Sequence, residues 1–343
     1  MILYGYVEFK PDEDRIVNFI KRNPDKGSMM LIHNGELLAS QEADRMMPLA
    51  STVKIIVAVE YAEQAARGLI DPDEAVPLDS LDSYYVANTD GGAHPRWLTN
   101  NQNKVRDGAI PLREVAKGMI RYSSNANTEY LCHRLGLANI NQRIDSLGID
   151  AHSEIYYIVS ALFVGKEAFP EKRGKQLVEA LRDMSMEDYI ATTQAIHEKL
   201  RTDTAYKKKL GDLSLPVQQV WSDNLPASTA GEYAALMQKL NSKSYLSKEV
   251  HRYLDEVMEG IMNSRGNREL FRHAGTKGGS TTFVLTKAVY ATDKDGNTTE
   301  LTYFLDGLTN MENTKLQMSI NVFELAVLTD EDFRGKVAEA IGR

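Results

Sequence analysis

Ser51-Thr52-Val53-Lys54 opens a segment with apolar residues at helical spacing, Val53, Ile56, Val57 and Tyr61, and with Gly68 as its stop. Residues three apart share a helix face, so the Lys54 amine is expected beside the Ser51 hydroxyl. That pairing suits a serine nucleophile with a lysine base. A serine at a helix start also has its own backbone N–H among the unpaired donors of the first turn, where it can hold an oxyanion formed by attack on a carbonyl. The same four letters describe a helix-capping serine followed by a surface lysine, so the reading depends on what else the chain carries.

Two further stretches bear on it. Ser123-Ser124-Asn125 follows a helical run from Leu112 to Tyr122, and Lys277-Gly278-Gly279-Ser280-Thr281 opens a β-rich stretch near the C-terminus. S-x-x-K, then S-x-N, then K-[ST]-G is the ordered motif set of class A β-lactamases and penicillin-binding proteins. On these residues the chain resembles that serine hydrolase superfamily. The resemblance implies a Ser51 acyl-enzyme, with Lys54 activating the nucleophile, partial burial and a second cation, Lys277, lowering the pKa of Lys54, and Ser123 relaying a proton to the leaving nitrogen. It implies that Asn125, Gly279, Ser280 and Thr281 bind substrate, and that the backbone N–H groups of Ser51 and Ser280 form the oxyanion hole. Plainer readings exist for each motif: Ser123 as a cap, Asn125 as a turn former, Lys277 as a strand-end charge and Gly278-Gly279 as a bulge.

The chain departs from the family pattern twice. Gly278 stands where Thr or Ser is usual, which removes a hydroxyl donor to a substrate carboxylate. Ser280 or Thr281 on the same strand, or Arg265, Arg268 and Arg272 before it, are the substitutes the sequence offers. The second departure concerns the loop glutamate that activates the deacylating water in class A enzymes. No E-x-x-L-N sequence lies between Asn125 and Pro226, and Glu154, Glu167 and Glu171 lack its neighbours. Leu225-Pro226-Ala227-Ser228-Thr229-Ala230 resembles the stretch that follows that loop, with Thr229 and Glu232 set as a capping box.

The 343 residues, 43% of them hydrophobic, allow one large core or two moderate ones. A net charge of −8, with Lys207-Lys208-Lys209 as the only basic run, argues against nucleic acid or anionic lipid as the main partner. The expected partner is a small-molecule or peptide substrate; the sequence does not indicate an oligomeric state. Cys132 is the single cysteine, which excludes an internal disulfide and reads as a buried thiol. The seven histidines show no H-x-H or H-E-x-x-H spacing, and no P-loop or G-x-G-x-x-G is present. No catalytic metal and no cofactor are therefore expected. Trp97 is a candidate cleft wall or a buried anchor. No run approaches 18 apolar residues, so no membrane span is expected. No signal peptide is visible at Met1 to Tyr6, which reads either as a cytoplasmic protein or as a chain whose leader has been removed; the family resemblance implies an extracytoplasmic setting.

The order of elements predicts the fold. A helix over 11–23 precedes a hairpin at Asn34-Gly35, the middle is mainly helical, and a second hairpin turns at 293–297 before a final helix striped with Leu316, Ile320, Phe323 and Val327. The expected class is α+β, β-lactamase/transpeptidase-like: an antiparallel sheet with terminal helices packed against an all-helical region. Residues 1–48 and 261–343 are assigned to the sheet domain and 49–260 to the helical one, with a helical insertion near 166–213. The long connection 82–110 is placed at a cleft edge. The function expected is a serine hydrolase or acyltransferase acting on an amide or ester such as a β-lactam or D-alanyl peptide. The alternatives are a class A-like β-lactamase with an altered deacylation base, or a β-lactam-binding sensor module that does not turn over.

Overall fold

Strands from both ends of the chain pair into one antiparallel sheet in the computed structural model, which describes residues 10–203 and 205–342. Helix α1 (Arg15–Arg22) and strands β1 (Gly27–His33) and β2 (Glu36–Gln41) come first. The middle of the chain includes α2 (Lys54–Ala66), α3 (Asn125–Leu135) and α4 (Ala230–Asn241). Strands β3 (Phe271–Ser280), β4 (Leu285–Asp293) and β5 (Thr298–Leu305) follow, and then helices α5 (Asn310–Thr329) and α6 (Glu331–Ile341). The sheet order is β2-β1-β5-β4-β3, so β1 pairs with β5 across most of the sequence length.

Local chemistry fixes the two hairpins. Asn34 and Gly35 take φ of 52° and 80°, the paired positive angles that let a two-residue turn follow the twist of β1 and β2. At the other turn the Asp293 Oδ1 accepts backbone N–H bonds from Asp295, Gly296 and Asn297. One sheet face is covered by α1, α5 and α6, where Ile16, Ile20, Leu316, Phe323 and Val337 meet Leu31, Leu301 and Tyr303. Ala288, Tyr290 and Phe304 on the opposite face join the core of the helical region. At its centre lies α2, with Ile55, Ile56, Val57, Ala58 and Val59 all buried. A helix apolar on every side belongs in a core, and burial there immobilises the Ser51 end of the helix.

Three details differ from the sequence-based expectation. Strand β3 starts at Phe271, so Lys277-Gly278-Gly279 ends a strand instead of opening one. Its first half hides because Gly275 carries no side chain: a Cβ there would lie 2.4 Å from the Tyr290 ring that covers it. A second C-terminal helix, α6, follows the striped one, capped by the Asp330 carboxylate on the Phe333 N–H. The capping box at Thr229 is half made. The threonine hydroxyl accepts from the Glu232 N–H, whereas the Glu232 carboxylate turns to the N–H groups of Asp150 and Ala151.

The segment 166–213 is largely helical, with Gly174–Asp183 and Met186–Thr202 packing Leu177, Leu181, Tyr189 and Ile196 against Phe163 and Val217. It thus builds its own small core against the region flanking the cleft.

Glu300 on β5 is buried without a counter-ion; Asn241 Nδ2 donates to one oxygen at 2.5 Å and the other has no partner. Burial raises its carboxyl from 4.5 to about 7. The fold therefore favours the protonated form, a stability present below the unfolded value and lost as pH rises through the folded one. Glu300→Gln should leave urea stability unchanged near pH 4 and add about 1–3 kcal/mol near pH 8. An equal effect at both pH values would contradict this account.

Candidate active site

Ser51 lies in a single 3₁₀ turn, Ala50–Val53, that runs directly into α2. Ala50 enters it with φ of 44°, a left-handed angle that is uncommon for a residue with a Cβ. Strand β3 holds the turn from the other side. A Cβ on Gly279 would fall 2.3 Å from the Ser51 backbone nitrogen and 2.9 Å from the Ala50 Cβ, so the close approach requires glycine. The Thr286 hydroxyl donates to the Leu49 carbonyl at 2.8 Å and accepts from the Thr52 hydroxyl at 2.7 Å. This fully buried link ties the sheet to the start of the nucleophile helix.

Lys54 is completely buried, and its amine donates to the Ser123 carbonyl and Asn125 Oδ1, both at 2.8 Å, and to Ser123 Oγ at 3.3 Å. Burial brings the amine down to about 7, against the opposing pull of Asp90 and Cys132. Lys277 is buried too, and donates to Ser123 Oγ at 2.9 Å and the Gly278 carbonyl at 2.7 Å. Its amine is pushed well below the usual lysine range by burial first, then by the charges of Lys54 and Lys287. Ser123 reaches this position with φ of 66°, and Ser124 behind it caps α3 through the Asn127 N–H.

Ser51, Ser123, Asn125, Gly279, Ser280 and Thr281 all line one open cleft of about 530 Å³. Lys54 and Lys277 reach it from below through Ser123. Ser280 is exposed there, whereas the Thr281 hydroxyl is committed to a turn, accepting from the Phe283 and Val284 N–H groups. In this conformation the Lys54 amine bonds to Ser123 and Asn125 rather than to Ser51.

Other candidates fall elsewhere. Arg265 pairs with Glu269, Arg268 donates to carbonyls of Met262 and Asn263, and Arg272 donates to the Lys294 carbonyl; none lines the cleft. Glu154, Glu167 and Glu171 are likewise absent from its walls, and Glu167 is held by Lys199 and Tyr206. Trp97 is an anchor, buried with its indole N–H on the Glu114 carbonyl at 3.1 Å. Residues of the 82–110 connection do edge the cleft, among them Thr89, Asp90 and Arg96.

Sequence reasoning missed three cleft residues. Among the described residues Asp90 is the one carboxylate lining the cleft, and it accepts N–H bonds from Gly92, Ala93 and His94. Lys287 sits opposite Gly278 across the β3–β4 pair and forms an ion pair with Glu324 at 3.2 Å. Its Cδ would be 3.0 Å from a Cβ on Gly278, so the lysine stem occupies the space a Thr would need. Trp221 forms part of the wall with Ile158 and Leu225. Asp90-Gly91-Gly92 carries only a turn signal, and the other two become visible only once strand register and helix packing are known.

Among the described residues, one group has metal-ligand spacing: His133, His197 and Glu198 hold their ligand atoms within 4.8 Å of one another. None lines the cleft. His197 hydrogen-bonds to His133 at 3.1 Å and to Glu129 at 3.3 Å, and Glu198 is taken up by Arg201.

Known proteins share this fold. No curated protein matches the chain in sequence. The fold is similar to that of a β-lactamase from Sphaerobacter thermophilus, with 17% identity, a TM-score of 0.56, and 92% of this chain and 98% of that one covered. A β-lactamase from Chitinophaga pinensis is similar at 15% identity and a TM-score of 0.54, over 92% of this chain and 99% of that one. A mutant of PBP-A, solved as an acyl-enzyme complex with penicillin G, is similar at 16% identity and a TM-score of 0.51, with 91% and 95% covered. The pattern of the β-lactamase enzyme family, Beta-lactamase2, matches residues 12–315, which is most of the chain, and the protein belongs to that family.

Proposed function

We propose that the protein is a serine hydrolase or acyltransferase that forms an acyl-enzyme on Ser51 from an amide or ester, and that it releases the acyl group slowly. The observation that carries this reading is the Ser123 hydroxyl accepting hydrogen bonds from two buried amines, Lys54 and Lys277, beside a cleft that Ser51 lines. Two ammonium groups so close disfavour each other's charge, so a neutral amine is available near neutral pH. In the proposed reaction neutral Lys54 takes the Ser51 proton as Oγ bonds to the carbonyl carbon. The resulting oxyanion is held by the N–H groups of Ser51 and Ser280. The bond to the leaving nitrogen or oxygen then breaks as Ser123 hands it a proton, which Ser123 regains from the lysine pair. Asn125 holds the acyl amide, with Gly279, Ser280 and Thr281 alongside as the strand edge. The reaction sits between the sheet part, 1–48 with 261–343, and the helical part, 49–260.

Slow release follows from the walls. Deacylation needs a base to activate water, and Asp90, the only carboxylate there among the described residues, already accepts three backbone N–H bonds. Lys287 is assigned the substrate carboxylate, in place of the hydroxyl missing at Gly278.

A penicillin or fluorophosphonate should label one site, and Ser51→Ala should abolish labelling. Lys54→Ala should slow acylation by about 10² or more, and the wild-type rate should climb through about pH 7 as the Lys54 amine loses its proton. Undiminished labelling of Ser51→Ala, or a flat pH profile, would exclude these roles.

Stopped-flow hydrolysis of a chromogenic cephalosporin should give a burst near one equivalent followed by a slow phase, because general-base help is worth about 10²–10⁴ in rate. Rapid linear turnover would favour a β-lactamase with another base, and a trapped adduct with no slow phase would favour a sensor.

Lys287→Met should slow acylation by carboxylate-bearing penicillins about 10- to 150-fold and leave neutral esters little changed, the range expected for one charge-assisted hydrogen bond. Equal losses on both substrate classes would remove Lys287 from substrate binding.

A further inference from the structure

Beside the cleft lies a second, smaller cavity of about 130 Å³, walled largely by the insertion and the helix Leu215–Asp223 that follows it. Leu162, Leu181, Tyr189, Val217 and Val220 supply its apolar lining. The two hollows share Thr89, Gln218 and Trp221. Trp221 packs on one side against the apolar cluster that includes Ala50, the residue before the nucleophile, and Leu225. On its other side it packs against the insertion core. The indole N–H is buried and has no acceptor, so no hydrogen bond fixes the ring that separates the hollows.

We propose that this cavity receives an apolar tail on the acyl group of the substrate, with Trp221 as the wall the tail packs against. The proposal rests on the Ser51 acyl-enzyme reading and names its substrate class: acyl groups ending in an unbranched chain of about four to six carbons or one phenyl ring. Size sets that limit, since an apolar cavity of about 150 Å³ is known to hold one benzene. Chemistry sets the other limit. Asn88, Thr89, Lys166, Asp212 and Gln218 share the lining, but more of it is apolar than polar, so an uncharged apolar tail is the better match. An apolar tail seated there would gain contacts with Leu162, Leu181, Tyr189, Val217 and Val220 and take their exposed surface out of water. The insertion then has a role in recognition, because without it the tail would face solvent.

The test measures second-order acylation of Ser51 by p-nitrophenyl acetate, butyrate and hexanoate, and by the succinate half-ester as the charged tail. Each added methylene should raise the rate about fourfold up to hexanoate, and the charged tail should gain nothing. Leu162→Trp, which fills the cavity away from the reacting groups, should flatten the series and leave the acetate rate within about twofold. A series already flat in the wild type, with Ser51 acylated throughout, overturns the cavity proposal and leaves the acyl-enzyme standing. Binding of benzene provides the readout independent of chemistry: it should change tryptophan fluorescence in the wild type and in Ser51→Ala, and not in Trp221→Phe. If no ester acylates Ser51, the acyl-enzyme reading fails and the benzene response alone decides the cavity; no response overturns it as well.

Discussion

Two buried lysine amines converging on one hydroxyl is the condition that the surrounding structure has to satisfy. An ammonium removed from water loses several kcal/mol of hydration unless acceptors replace it. Lys54 finds the Ser123 carbonyl, Ser123 Oγ and Asn125 Oδ1, and Lys277 finds Ser123 Oγ and the Gly278 carbonyl. These acceptors come from the start of α3 and the end of β3, so the helical region and the sheet must meet at a fixed distance. Gly279 permits that distance and the Thr52–Thr286–Leu49 chain of hydrogen bonds holds it. Backbone strain gathers at the same place: Ala50 and Ser123 both take left-handed angles. Such angles persist only where surrounding contacts over-determine them, and here both place a hydroxyl-bearing residue at the cleft.

What the sequence made legible was local or periodic. The Asn34-Gly35 turn, the apolar stripe of α5 and the helical spacing of Ile56, Val57 and Tyr61 in α2 follow from dihedral preference and periodicity, and the structure has each of them. The three motifs were legible as short strings, and the chain path brings them together. What stayed hidden depends on pairing between distant segments. Lys287 looks like any strand lysine until the β3–β4 register places it opposite Gly278. The first half of β3 has Gly275 where a strand would normally show a side chain, and its partner Tyr290 lies fifteen residues on. Asp90 belongs to a connection that reads only as polar loop. Trp97 and Trp221 could not be ranked by sequence, since whether an indole anchors a helix or walls a cleft is decided by packing.

The apolar wall connects the chemistry to the recognition. A hydrolytic water needs two to four polar partners to be held in place. The side of the cleft formed by Ile158, Trp221 and Leu225 is apolar and its indole N–H is buried, which leaves Gln218 as the neighbouring polar side chain on the Trp221 helix. The same surface that would fail to position water is the one against which an apolar acyl tail packs. Under the acyl-enzyme reading these two properties reinforce each other: a tail seated past Trp221 displaces solvent from the neighbourhood of the ester and lengthens the life of the adduct. Substrates with short or charged tails leave that space open to water. On that proposal, selectivity in this site comes from how long each adduct survives as well as from how fast it forms, and residues 166–213 act on both through Trp221, against which they pack.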